Sequence, residues 1–181
     1  MDIRNTIEAD EPEIRRVHEA AFGPQAGRTV ADLALALLHD PTASPFISLL
    51  ACDGSASIGH VLFTSVRISG PGKSPEAFIL APLAVLPDRQ RHGIGTKLVQ
   101  AGLTVLSESG GQLVFVLGHP EYYPRFGFQP AGRLGLSAPY LIPEENANAW
   151  MVLELSHGIL GSVRGKARCA DALNNPEHWH E

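Results

Sequence analysis

Leu83-Ala84-Val85-Leu86-Pro87-Asp88-Arg89-Gln90-Arg91-His92-Gly93-Ile94-Gly95-Thr96-Lys97-Leu98 joins an apolar run to an amphipathic one through a basic loop that carries two glycines. The apolar side reads as a strand. Beyond the loop, Ile94, Leu98, Gly102, Val105 and Leu106 fall on one helical face, which Gly110-Gly111 brings to an end. The first turn of such a helix has backbone N–H groups without partners, and its peptide dipoles leave about half a positive charge there. A phosphate fits that end. Gly93 and Gly95 clear the backbone for a diphosphate, and Arg89, Arg91 and Lys97 bring positive charge to the same place.

Two familiar phosphate loops do not match. A P-loop has four residues between its glycines followed by Gly-Lys-Ser/Thr, whereas one residue separates Gly93 from Gly95. A dinucleotide fingerprint wants a third glycine where Leu98 stands. The pattern that does match is Gln/Arg-x-x-Gly-x-Gly/Ala, here Gln90-Arg91-His92-Gly93-Ile94-Gly95. Downstream, Tyr123-Pro124-Arg125-Phe126-Gly127-Phe128 fits Tyr-x-x-x-Gly-Phe. In this order and spacing the two motifs resemble the GNAT superfamily of acetyl-CoA-dependent N-acetyltransferases. The stretch from Gly118-His119-Pro120-Glu121-Tyr122-Tyr123 through Phe128 is similar to a poorly characterised bacterial subgroup of it.

The rest of the chain bounds the reading. With 181 residues it is one domain's worth, long enough to bury its own core. Its 44% hydrophobic and 18% charged residues are those of a globular chain, and a net charge of −5 excludes a general nucleic-acid surface. No apolar run reaches the length of a membrane span and the N-terminus has no signal-peptide pattern, so a cytoplasmic protein is expected. Cys52 and Cys169 have neither a C-x-x-C partner nor zinc-ligand spacing, and no metal site is assigned.

Asp2 to Ile7 reads as an opening strand. Two helices follow, one carrying Ile14, Val17, Ala21 and Phe22, the other Val30, Leu33, Leu37 and Leu38. Asp53-Gly54 marks a hairpin between Phe46 to Cys52 and Ser57 to Val66. In the strand from Phe78 to Val85, Pro82 cannot donate to a ladder, so a bulge or an edge is expected where it stands. Leu113 to Leu117 and Trp150 to Leu155 complete the strands. The expected fold is α/β (α+β), a mixed, splayed sheet flanked by helices in the order β-α-α-β-β-β-α-β-α-β-β, which is also the order the resemblance implies. Residues 1–155 form its single domain, and the weakly patterned residues 156–181 are an extension packed on it or trailing from it.

The resemblance implies a chemistry for these positions. Two strands part beside the loop, and the pantetheine arm of acetyl-CoA lies in the gap like a missing strand. Leu83 supplies the backbone N–H that polarises the acetyl carbonyl, and Ala84 and Val85 meet the arm. Gln90, Arg91, His92, Gly93, Ile94, Gly95, Thr96 and Lys97 bind the cofactor, its diphosphate resting on the N–H groups from Arg91 to Thr96, chiefly those of Gly93 to Thr96. An amine of a small molecule or protein attacks directly, through a tetrahedral intermediate, and Tyr123 protonates the departing thiolate, with Tyr122 as the substitute should the register slip by one. The strand Phe78 to Leu83 lacks the carboxylate that some members use as base, which leaves His119, Glu121 and His60. The acceptor side is implied near Phe22 to Arg28 and Ala131 to Asn148. Glu144 and Glu145 read as a wet loop face, and His178-Trp179-His180 as a solvated tail. The competing reading is a non-catalytic acyl-CoA-binding sensor or interaction module. Both a monomer and a homodimer stay open.

Overall fold

The strand and helix signals of the sequence resolve into eleven elements. The computed structural model describes residues 1–180. In chain order these are β1 (Asp2–Asn5), α1 (Glu11–His39), β2 (Ile47–Asp53), β3 (Ala56–Ser69), β4 (Ala77–Val85), α2 (Ile94–Glu108), β5 (Leu113–Leu117), β6 (Gln129–Pro130), β7 (Leu136–Ser137), β8 (Trp150–Glu154) and β9 (Gly165–Arg168). One sheet runs β1-β2-β3-β4-β5-β8-β6. Its pairs are antiparallel except β4 with β5. This is the mixed sheet with flanking helices that the sequence led one to expect.

Local chemistry explains the details. The β2–β3 hairpin turns on Gly54 and Ser55, one residue later than an Asp-Gly turn, because Asp53 still pairs with Ala56. Gly54 takes φ 61°, as a two-residue loop with glycine leading requires. Two helices were expected before β2. They are the two arms of α1, separated at Gly23, whose φ of 75° and ψ of −173° interrupt the helix ahead of Pro24. The helix expected after β5 is one 3-10 turn, Tyr123–Phe126, because Pro120 and Pro124 precede or open it and Gly127, at φ 99°, closes it.

Side chains alternate across the sheet into two cores. On one face Val61, Phe63, Phe78 and Leu80 pack against Ile94, Leu98, Val99 and Leu106 of α2. A Cβ on Gly102 would stand 2.1 Å from the Phe63 ring, so this glycine lets α2 lie directly on β3. On the other face Leu62, Ile79 and Phe115 meet Leu37 of α1. That second core also takes in the chain beyond residue 155. Strand β9 pairs with the end of β3 and with β7, and Trp179, 2% exposed, packs with Trp150 at a ring-centroid distance of 5.8 Å. No helix among the described residues is long and apolar enough to cross a membrane.

Pro82 lies in a bulge of the sheet. Leu83 pairs with Val61 and Leu80 with Phe63, so Ala81 and Pro82 together oppose Leu62 in a bulge. Strand β4 pairs with β5 only from Ala77 to Ile79, and the two strands then run apart. The expected splay is present, and it begins two residues before the proline.

Candidate active site

The gap between β4 and β5 opens into a cavity of about 1050 Å³. Its near wall is the exposed edge of β4. The Leu86 N–H bonds to the Ile58 carbonyl of β3 at 3.0 Å, and backbone groups alternate sides along a strand, so those of Leu83 and Val85 point away from β3 into the gap. The side chain of Gln90 confirms that direction for Val85, whose carbonyl accepts its Nε2–H at 3.1 Å.

The floor is the start of α2. Arg91 at φ 63° and Gly93 at φ 78° are left-handed, and the chain turns from Gly93 straight into the helix. Alternation of this kind makes a concave set of N–H donors. The Lys97 N–H bonds to the Gly93 carbonyl at 3.0 Å, and no side chain caps the helix, so the donors of Ile94, Gly95 and Thr96 face the cavity that these residues line. Arg89, Arg91 and Arg125 line the same end. Arg89 is held by Asp53 at 2.7 Å, and the guanidinium in turn keeps the Asp53 carboxyl below its ordinary pKa.

The far wall is the turn after β5. The His119 carbonyl accepts the N–H groups of Tyr122 at 3.0 Å and Tyr123 at 3.3 Å, which sets both rings at the cavity. Tyr123 is 8% exposed and stacks edge-on with Phe128 at 5.7 Å. A Cβ on Gly118 would stand 2.4 Å from the Tyr123 ring, so the glycine makes the seat for the phenol. Tyr122 points elsewhere. Its hydroxyl lies 3.5 Å from Thr96 Oγ1, over the α2 start, and the Arg125 guanidinium covers its ring at 4.3 Å.

Most of the residues singled out in the sequence meet in this one cavity: Leu83, Val85, Gln90, Arg91, Gly93, Ile94, Gly95, Thr96, His119 and Tyr123. Ala84, His92 and Lys97 do not line it. Ala84 is buried with its backbone toward β3, while His92 and Lys97 are exposed beside the loop. The candidate bases separate in the same way. Glu121 lies outside the cavity, and His60 is fully buried between His18 Nε2 and Ser48 Oγ, each at 2.8 Å. Burial first, and the neighbouring His18 second, push the His60 pKa well below its ordinary value.

The cavity's other end differs from what was expected of the acceptor side. Phe22, Gln25 and Ala26 line it, continued by Thr29, Val30 and Leu33 at helical spacing along the second arm of α1. None of residues 131–148 does. Their place is taken by Leu173, Glu177, His178, Trp179 and His180. Val30 and Leu33 carried a signal, though it read as core. His178-Trp179-His180, expected to be a solvated tail, is instead anchored by the buried Trp179, because what places the C-terminal group is contact with residues distant in the chain.

A profile of the acetyltransferase (GNAT) domain matches residues 2–131. The chain belongs to this family. It is 45% identical over 167 residues to the uncharacterized N-acetyltransferase YjhQ of Escherichia coli K12, covering 92% of this chain and 90% of YjhQ. The GNAT family N-acetyltransferase YhbS from Escherichia coli, crystallised in complex with CoA, superposes with a TM-score of 0.84 at 29% identity, over 96% of this chain and 92% of YhbS. A GNAT family acetyltransferase from Brucella melitensis, in complex with acetyl-CoA, gives 0.75 at 30%, over 95% and 97%. The mixed sheet flanked by helices is therefore the fold this chain shares with these acetyltransferases.

Proposed function

We propose that the protein transfers the acetyl group of acetyl-CoA to a primary amine of a small molecule or protein, by direct attack in the cavity between β4 and β5. The observation that carries this is the junction of two features at one place: an open strand edge at Leu83 and Val85, and a helix start at residues 93–96 whose donors face the same space. Acetyl-CoA brings an activated acyl group with a thiolate leaving group. The donors of residues 93–96, with Arg91 and Arg125 near them, hold its diphosphate by charge and hydrogen bonds. Val85 offers backbone groups for the amides of the pantetheine arm, which compete with Gln90 for the Val85 carbonyl.

The Leu83 N–H then stands where negative charge grows on the acetyl oxygen as the amine attacks, and it stabilises that charge most in the transition state. Tyr123, seated by Gly118 and reaching the cavity from the opposite wall, delivers a proton to the sulfur as the C–S bond breaks. His119 is the imidazole on that wall, placed to take the proton released by the amine.

The test follows binding and turnover separately. Titration calorimetry with acetyl-CoA should show one site per chain, and thiol release should depend on both acetyl-CoA and an amine. Absence of binding overturns the reading. Tight binding with silence across a broad amine panel points instead to the non-catalytic acyl-CoA-binding module.

A further inference from the structure

The cavity is electrically lopsided. Arg89, Arg91 and Arg125 line its cofactor end, whereas Glu177 is the one carboxylate among the described residues that line it, and it stands in the C-terminal turn at the other end, between Asn175 and His178. We infer that the C-terminal turn is the acceptor-recognition element, and that Glu177 selects a cationic acceptor with an apolar body over neutral or acidic ones. The inference rests on the acetyl-CoA reading of the same cavity and adds the acceptor's chemistry to it.

Three sets of contacts hold the turn where it can do this. Trp179 is its anchor: the indole Nε1–H donates to the Leu173 carbonyl at 2.9 Å, and the ring meets Trp150 and, at 6.4 Å, Tyr140. The Tyr140 hydroxyl donates to Asn174 Oδ1 at 2.6 Å, so the loop of residues 131–148 buttresses the turn from behind without reaching the cavity itself. Asp40, at the end of α1, accepts the Ala172 N–H at 2.9 Å and ties the turn to the helix that forms the opposite wall. At the tip Glu177 is positioned by Asn175, whose Oδ1 accepts the Glu177 N–H at 3.1 Å and whose Nδ2 reaches the Glu177 carboxylate at 3.2 Å.

The surroundings fix the class of ligand. Val30, Leu33, Leu173 and Trp179 give apolar walls for a hydrocarbon body, and Gln25 and Thr29 give a polar rim. A carboxylate at the end of such a slot favours an ammonium and repels an anion. Arg89 is paired with Asp53, and Arg91 and Arg125 face the cofactor's phosphates, so Glu177 supplies the charge that orients an acceptor with its reacting amine toward the thioester and a positive group at the far end. The fitting acceptor is a diamine, or an amine whose second basic group lies several carbons away. It reacts through its neutral nitrogen while the other end pairs with Glu177.

The experiment uses the full chain saturated with CoA, which cannot transfer an acetyl group, so that binding is read without turnover. 1,5-Diaminopentane and 5-aminopentanoate are titrated by calorimetry into wild type and into E177Q and E177K. The diamine should bind wild type about tenfold or more tightly than the amino acid, the scale of one charge-assisted hydrogen bond. In E177Q the preference should disappear, and in E177K it should reverse, with CoA affinity and melting temperature unchanged in both. Equal binding of the two ligands by wild type, no diamine binding to the CoA-loaded chain, or an E177Q variant that keeps the preference overturns the inference while the acetyl-CoA reading stands. Loss of CoA binding in wild type would instead overturn the reading beneath it. A turnover arm separates recognition from catalysis: E177Q should raise the acceptor KM at nearly constant kcat, and a fall in kcat at constant KM would make Glu177 a base and refute its role as the selecting charge.

Discussion

Tyr123 depends on a glycine five residues before it. The phenol is the proposed acid, and Gly118 is the residue that leaves room for its ring. Tyr123→Phe removes the proton donor and keeps the packing against Phe126 and Phe128, so kcat should fall about a hundredfold, within the usual range for a general acid, while acetyl-CoA affinity holds. Gly118→Ala should lower kcat in the same direction by pushing the ring aside, and should also destabilise the chain by about 1–3 kcal/mol through overpacking. Tyr122→Phe is the contrast. Its hydroxyl sits over Thr96, so its effect belongs on cofactor affinity, and steady-state kinetics with calorimetry on all three variants separates the roles. The phenol was legible in the sequence because Tyr-x-x-x-Gly-Phe is a local pattern. Gly118 was not, because its role is a through-space distance that no spacing records.

At the scale of the element, α2 and its loop show why the fold could be read so far. Strand, basic glycine loop and amphipathic helix are contiguous in the chain, so their geometry follows from local rules, and Gly93 does occupy a left-handed conformation. Gly93→Ala has open space for its Cβ but must adopt φ 78°, which costs about 1 kcal/mol. The variant should therefore lose a little stability and more acetyl-CoA affinity, as the donors of residues 94–96 turn from the ligand. Thermal melts and calorimetry read the two effects, and an unchanged affinity would remove the loop from the binding site. The Pro82 bulge was legible for the same reason, since proline acts on its own neighbours, whereas the two arms of α1 were legible only from their apolar spacing and the break at Gly23 between them was not placed. The helix expected after β5 rests on the element order that the resemblance implies, and the structure forms a single turn there, Tyr123–Phe126. The flanking prolines and Gly127 limit it to four residues.

The whole molecule is tied together by contacts that span the sequence, and these the sequence hid. Residues 156–181 looked weakly patterned because the partners of Trp179 are Trp150 and Tyr140, and those of Ala172 and Asp171 are Asp40 and Thr42, over 120 positions away. A second such link is the buried chain Thr6–Ser48–His60–His18, with successive contacts of 2.8 Å, which joins the loop after β1, then β2, β3 and the first arm of α1. His60 was read as a possible base from its residue type alone. The structure gives it a different part, because burial lowers the His18 pKa from 6.5 to about 4 and lowers that of His60 well below 6.5, with Asp10 opposing the shift at His60. Both histidines stay neutral in the folded chain at pH values where the unfolded chain has begun to take up protons. Folded-state pKa values below the unfolded one mean stability that is complete above pH 6.5 and is lost as pH falls from 6.5 toward 4. Each histidine contributes a slope of up to about 1.4 kcal/mol per pH unit across that window. Urea unfolding of wild type between pH 7.5 and pH 4.5 should show the combined slope. The variant His60→Gln should be less stable at pH 7.5, where a buried hydrogen-bond partner has changed, yet lose less on acidification, because one titrating group has gone. Equal slopes in the two proteins would remove His60 from the acid sensitivity of the fold over this range, because Asp10, whose pKa the Arg4 guanidinium lowers from 3.8 to about 2, gives up its contribution only below about pH 4.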